Sequence, residues 1–119
     1  FHIFWRIVIP LLKPALATAA LALAPMSEMI HLKDFYIRAK DPGDATQFDC
    51  AGSWFRSRAG KYLRGSILAQ GDLDVYAILS VIKRSGYDGC IAIEFEGMED
   101  AAYASSVSLK NARRIWSEA

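Results

Sequence analysis

The chain has 119 residues, 14 Lys plus Arg against 13 Asp plus Glu, and a net charge of +1. That near balance excludes a general electrostatic attraction to nucleic acid or to an anionic membrane surface. The length suits one modest domain but falls well short of the ~250 residues of a closed eight-stranded α/β barrel, so any barrel built from this chain is partial.

The first 24 residues are almost wholly apolar, and everything after Ser27 mixes charge, glycine and aromatics as a folded domain does. A junction therefore falls between Ala24 and Met29, dividing an apolar segment, 1–25, from a domain, 26–119. The first residue is Phe rather than Met, which points to a processed chain or a fragment. Ala15 to Ala24 is a continuous apolar run between Pro14 and Pro25, far below the ~20 residues of a membrane-spanning helix. As a signal peptide it would use Arg6 and Lys13 as its basic region and Ala22-Leu23-Ala24 as its cleavage site, but Pro25 argues against cleavage there. The run Phe4-Trp5-Arg6-Ile7-Val8-Ile9-Pro10-Leu11-Leu12-Lys13-Pro14-Ala15-Leu16-Ala17-Thr18 resembles the cytoplasmic coupling segment of sugar-type ABC transporter permeases. In that family the segment leads into a transmembrane helix, and here the apolar run stops short of one.

Past the junction, Met29 to Ile37 alternates as one strand, with Ile30 and Leu32 on one side and His31 and Lys33 on the other. Residues 39–71 are polar and contain glycine, longer than an ordinary connection, which marks either a functional loop or a poorly ordered segment. Asp74 is an N-cap for a helix whose Val75, Ile78, Leu79 and Ile82 share one face. Gly86 ends it. Tyr87-Asp88-Gly89 turns into a strand over Cys90 to Phe95, and Asp100 caps a last helix with Leu109, Ala112 and Trp116 turned inward. Strand, helix and strand in succession predict an α/β fold with a parallel pair joined by a right-handed crossover. Cys50 and Cys90 form no CxxC pair. At the head of an apolar run Cys90 reads as a buried free thiol, which suits a reducing cytoplasm.

In the second strand, Ile91, Ile93 and Phe95 share one side, and Ala92, Glu94 and Glu96 the other. Glu94 then stands at the C-terminal end of a parallel strand, where α/β barrels carry their chemistry, although a solvated strand-end glutamate has the same signature. His31 lies on an apolar strand, where histidine is more often a hydrogen-bonded core residue than a ligand. Together with Glu94 it offers the nitrogen and oxygen donors that divalent ions take.

Four pieces in order, His31-Leu32-Lys33-Asp34-Phe35, Gln70-Gly71-Asp72-Leu73-Asp74, Gly86-Tyr87-Asp88-Gly89 and Ile93-Glu94-Phe95-Glu96-Gly97, resemble the C-terminal end of the xylose-isomerase-like sugar phosphate isomerase/epimerase family. The resemblance runs from about residue 29 to 119. It implies the last two β/α units of an eight-unit TIM barrel, a divalent metal (Mn, Mg, Co or Zn) and a sugar or sugar phosphate as substrate. It further implies His31 and Glu94 as metal ligands, Glu94 as catalytic acid or base, and Arg64 and Glu96 as substrate contacts. A metal that polarises a carbonyl while a carboxylate moves the neighbouring proton is coherent chemistry. The family's other ligands belong to earlier strands, so the chain alone is expected to be inactive. Gln70 stands where many members have a histidine or an acidic residue.

Arg56, Arg58, Lys61 and Arg64, interleaved with Trp54, Phe55 and Tyr62, form a basic cluster that could grip a phosphate or remain a solvated loop. DNA-repair endonucleases of the same superfamily carry an Asp-Arg-His triplet in this loop to bind extra zinc. Leu63-Arg64-Gly65 stands in its place here, which favours sugars over nucleic acid. A transporter subunit fragment is the alternative reading, and oligomeric state is not legible from the sequence.

Overall fold

The structure, a computed structural model, describes Thr18, residues 21–42 and residues 54–119. Cys50, positions 43–53 of the expected loop and, apart from Thr18, the permease-like run lie outside the described residues.

The Asp74 carboxylate accepts the Ala77 amide at 2.9 Å. That satisfies one of the donors a helix start leaves open, and helix α1, Val75–Arg84, follows. Val75, Ile78, Leu79 and Ile82 are all buried, as their spacing predicts. The helix closes on Gly86, whose φ of +77° is the left-handed conformation that glycine adopts without penalty. The Asp100 carboxylate accepts the Tyr103 amide in the same way and opens helix α2, Ala101–Glu118.

Between and before these helices lie five strands in two open sheets, a mixed α/β arrangement with no closed barrel among the described residues. Strands β1, Met29–Leu32, and β5, Cys90–Ile93, pair in parallel with His31 opposite Ala92. Strands β2, Asp34–Arg38, β3, Phe55–Arg56, and β4, Tyr62–Ser66, form an antiparallel sheet in the order β2-β4-β3. The core gathers Ile30 and Leu32 of β1, the inward face of α1, and Leu68 and Tyr87, with Trp116 of α2 packed against it. Helix α2 is tied down by polar contacts as well. The Leu68 amide donates to the buried Ser108 hydroxyl at 3.0 Å, and the Asn111 side chain donates to the Leu68 carbonyl at 2.7 Å.

Four expectations are corrected. Met29 to Ile37 is not one strand, because the chain leaves the parallel sheet at Lys33 and enters the antiparallel one at Asp34. Asp34 follows the inward alternation of Ile30 and Leu32, and a buried carboxylate needs hydrogen-bond donors around it. It accepts the amides of Phe35 at 2.8 Å, Gly71 at 2.8 Å and Leu73 at 3.3 Å, and the chain turns around it. The described part of the expected long loop contains β3 and β4, whose pairing partner β2 lies far away in sequence. Cys90 is exposed rather than buried, since it begins β5 at the rim of the sheet before the core closes over the strand. Leu109 is 42% exposed; only Ala112 and Trp116 of the three α2 residues pack against the core. At the expected junction, Ala24 is buried in a 3-10 turn over Ala24–Met26 and belongs to the core cluster, so the core reaches back past Pro25.

Candidate functional site at the ends of the parallel strands

The parallel register brings the C-terminal ends of β1 and β5 side by side. The Glu94 amide donates to the Leu32 carbonyl at 3.0 Å, extending the ladder one step beyond the strand and fixing Glu94 next to the end of β1. His31 and Ala92 are register partners, so the alternation places His31 and Glu94 on one face. His31 Nδ1 meets Glu94 Oε1, and Lys33 Nζ forms an ion pair with Glu94 Oε2. Lys33 also donates to Glu96 Oε1 at 2.7 Å. One lysine thus joins two carboxylates, one of which is also bound to a histidine.

The two sheets meet here. A Cβ built on Gly65 of β4 would overlap the backbone of Glu96, so only glycine lets the antiparallel sheet lie this close to the segment after β5.

The hydrogen bond from Lys33, and after it that from His31, holds the Glu94 carboxyl below its ordinary pKa, against the opposing effect of burial. Burial also acts to lower the pKa of Lys33. The hydrogen bonds and charges of Glu94 and Glu96 together outweigh it, and the ammonium ends above its ordinary value. Lys33 and Glu94 are therefore a charged pair at neutral pH, and the side chains are only partly exposed: 26% for His31 and Glu94, 12% for Lys33.

As metal donors, His31 and Glu94 supply one nitrogen and one oxygen, a combination suited to a divalent ion. Among the described residues no group of three or more His, Cys, Asp or Glu side chains could hold a metal ion. Both Glu94 oxygens are engaged, Oε1 by His31 and Oε2 by Lys33, so a divalent ion held by these donors would have to displace the Lys33 ammonium and find further ligands elsewhere.

Glu96 also joins the cluster, whereas Arg64 does not. Gly65 faces Glu96, so its neighbour Arg64 points to the opposite face of the antiparallel sheet. There its guanidinium stacks on Tyr36 and Trp54. Lys33 as the residue bridging both carboxylates, and Gly65 as the point of approach, were missed by sequence reasoning. The first had a signal, because Lys33 shares the parity of His31; the second needed the pairing of β2 with β4.

A cavity of about 380 Å³ lies on the other side of β5, between Ile91 and Ile93 and the α2 residues Leu109 and Trp116. It is mostly apolar, with Asp88 and Arg113 also in its lining, and is turned away from Glu94. Leu109 lines it, which accounts for that residue's exposure.

No protein-family model, curated protein or solved structure matches this chain.

Proposed function

We propose that residues 29–119 are the closing portion of a metal-dependent sugar or sugar phosphate isomerase or epimerase, built as the last two β/α units of a TIM barrel and working in the cytoplasm. The observation that supports this reading is the meeting of His31 with Glu94 at the C-terminal ends of two parallel strands. It stands alongside the resemblance of the four sequence pieces that carry those residues. His31 and Glu94 would hold a divalent ion, and a bound metal of this kind supplies Lewis-acid polarisation of a carbonyl. Glu94, kept ionised by Lys33, would be the carboxylate that takes the proton next to that carbonyl; its lowered pKa makes it a weak base, so the polarised carbonyl would have to acidify the proton. Glu96, 53% exposed, offers its carboxylate to sugar hydroxyls while Lys33 fixes its direction. With two donors of the about three or more that a catalytic metal needs, the chain by itself is expected to bind metal weakly and to turn over no ketose.

Titration with Mn²⁺ tests both parts of this reading. Calorimetry on the wild type and on Glu94→Gln is expected to show weak, similar binding, with no exchange of the proton beside a ketose carbonyl. Tight stoichiometric binding abolished by Glu94→Gln would overturn the incompleteness of the site. In nuclear magnetic resonance spectra, paramagnetic broadening is expected to reach His31 and Ala92 before Asp72 or Glu118. Broadening that begins at those surface carboxylates instead would reject the metal reading.

The alternative, a carbohydrate transporter permease fragment, rests on Phe4 to Thr18, which apart from Thr18 lies outside the described residues. No helix among the described residues is long and apolar enough to cross a membrane.

A further inference from the structure

The antiparallel sheet has a second face, turned away from Glu96. Tyr36 and Arg64 are direct register partners on it. Trp54 joins them, because it precedes β3 and its neighbour Phe55 packs edge-on against Phe35 on the other side. The Arg64 guanidinium carbon lies 5.0 Å from the Tyr36 ring centre and 5.3 Å from that of Trp54. The Arg38 guanidinium is also over both rings, at 5.8 Å and 5.9 Å. Two cations thus share two aromatic rings.

Their charges are unequally compensated. Arg38 donates to Asp72 at 2.7 Å, and the Ile37 amide donates to the same carboxylate oxygen at 2.6 Å. Arg64 has no ion pair among the described residues. Its Nε and the Trp54 Nε1 are two of the three buried side-chain polar atoms without a hydrogen-bond partner there. A buried donor left unmatched is costly, and two on stacked neighbours are seldom tolerated unless something accepts from them. Arginine Nε–H and indole N–H donate and cannot accept, so the missing group must bring acceptor atoms. An unpaired guanidinium beside a second guanidinium asks that it also bring negative charge. The two ring contacts hold the guanidinium in place while its buried Nε–H has no partner among the described residues, and a guanidinium held in this way is suited to an oxyanion.

We infer that Arg64 and Trp54 form an oxyanion-binding site, for a phosphoryl or carboxylate group, on the face of the β2-β4-β3 sheet opposite the His31–Glu94 cluster. Arg64 and Trp54 donate to the ligand, Tyr36 supports the guanidinium from one side, and Arg38 adds charge without giving up Asp72. The site does not depend on the isomerase reading, since no group of the His31–Glu94 cluster takes part in it.

The test is a titration of the full chain with inorganic phosphate at constant ionic strength. The indole N–H of Trp54 and the Nε–H of Arg64 are followed by nuclear magnetic resonance, with sodium acetate and sodium chloride as parallel arms. Both N–H signals are expected to shift downfield and saturate with phosphate, with acetate, or with both; which of them saturates distinguishes a phosphoryl from a carboxylate ligand. Chloride is expected to give no saturable shift. Arg64→Gln is expected to weaken binding about tenfold or more, the scale of one charge-assisted hydrogen bond. Trp54→Phe keeps a ring over Arg64 while deleting the indole donor, and is expected to weaken binding as well, so it carries the test if Arg64→Gln does not fold. Glu94→Gln is expected to leave the affinity unchanged, which separates this site from the metal reading. A wild-type response that chloride reproduces, the absence of any saturable shift, or unaltered affinity in the folded variants would overturn the inference.

Discussion

Glu94 owes its lowered pKa first to Lys33 and then to His31, and the consequence for stability has a definite sign. A carboxyl whose pKa is lower in the folded chain contributes stability that is present above the unfolded carboxyl range and is lost as pH falls through the folded value. Lys33, raised in the folded chain, contributes below its ordinary value and loses the contribution as pH rises through the folded one. Replacing Lys33 by Gln removes the first cause of the Glu94 shift. The Glu94 carboxyl, followed by carbon resonance, is then expected to titrate at higher pH than in the wild type. An unchanged midpoint would show that His31 alone holds it down. Gly86 is another residue whose role is decided by a single torsion. A Cβ there would meet nothing within 4 Å, so any cost of substitution comes from φ and not from crowding. Gly86→Val is expected to lower stability by about 1 kcal/mol or more in thermal unfolding, the usual penalty of forcing a β-branched residue into the left-handed region.

At the level of elements, both helices follow from local rules. Each has an aspartate cap bonded to the amide three residues on, and α1 buries the apolar face that its spacing defines. The strands follow different logic. The inward alternation of β1 continues through Asp34, whose carboxylate cannot be buried bare, so the chain turns and two sheets result. What lets these sheets lie so close near the site is the missing side chain at Gly65, which sits against the Glu96 backbone. Gly65→Ala is expected to cost about 1–3 kcal/mol, as overpacking does, and to draw Glu96 away from Lys33. Chemical denaturation reads the first effect. The second is read from the Lys33 ammonium resonance, where an unperturbed signal would show that the sheets can part without disturbing the cluster.

For the whole molecule, the core extends N-terminal to the composition break. Ala24, 1% exposed, packs with Ile30, Leu79 and Tyr87 in the same cluster. Removal of Phe1 to Pro25 is therefore not expected to be silent. A chain trimmed to begin at Leu21 keeps Ala24, and one trimmed after Pro25 loses it. The shorter chain is expected to unfold at lower temperature, by roughly 1 kcal/mol on the scale of a buried methyl and its backbone. Equal unfolding midpoints for the two would place Ala24 outside the cooperative core.

The sequence by itself determined α1 and α2 with their caps, the glycine stop at Gly86, the parallel pairing of the strands around His31 and Glu94, and the meeting of those two side chains. The helices, caps and stop rest on short-range signals: a period of 3.6, a capping aspartate and a glycine at a helix end. The parallel pair rests on the succession of strand, helix and strand, and the meeting of His31 with Glu94 on strand alternation together with the resemblance that makes both metal ligands. Only the tertiary structure decided the break at Lys33, the antiparallel sheet, the exposure of Cys90 and the side on which Arg64 lies. Each depends on partners distant in sequence, since Asp34 is satisfied by Gly71 and Leu73, and Tyr36 pairs with Arg64. In a strand a shift of one residue reverses the face of every side chain. Read as part of a loop, Arg64 had no parity in the sequence; the pairing of β4 with β2 gave it one, and the docking of Gly65 against Glu96 fixed which face that parity meant.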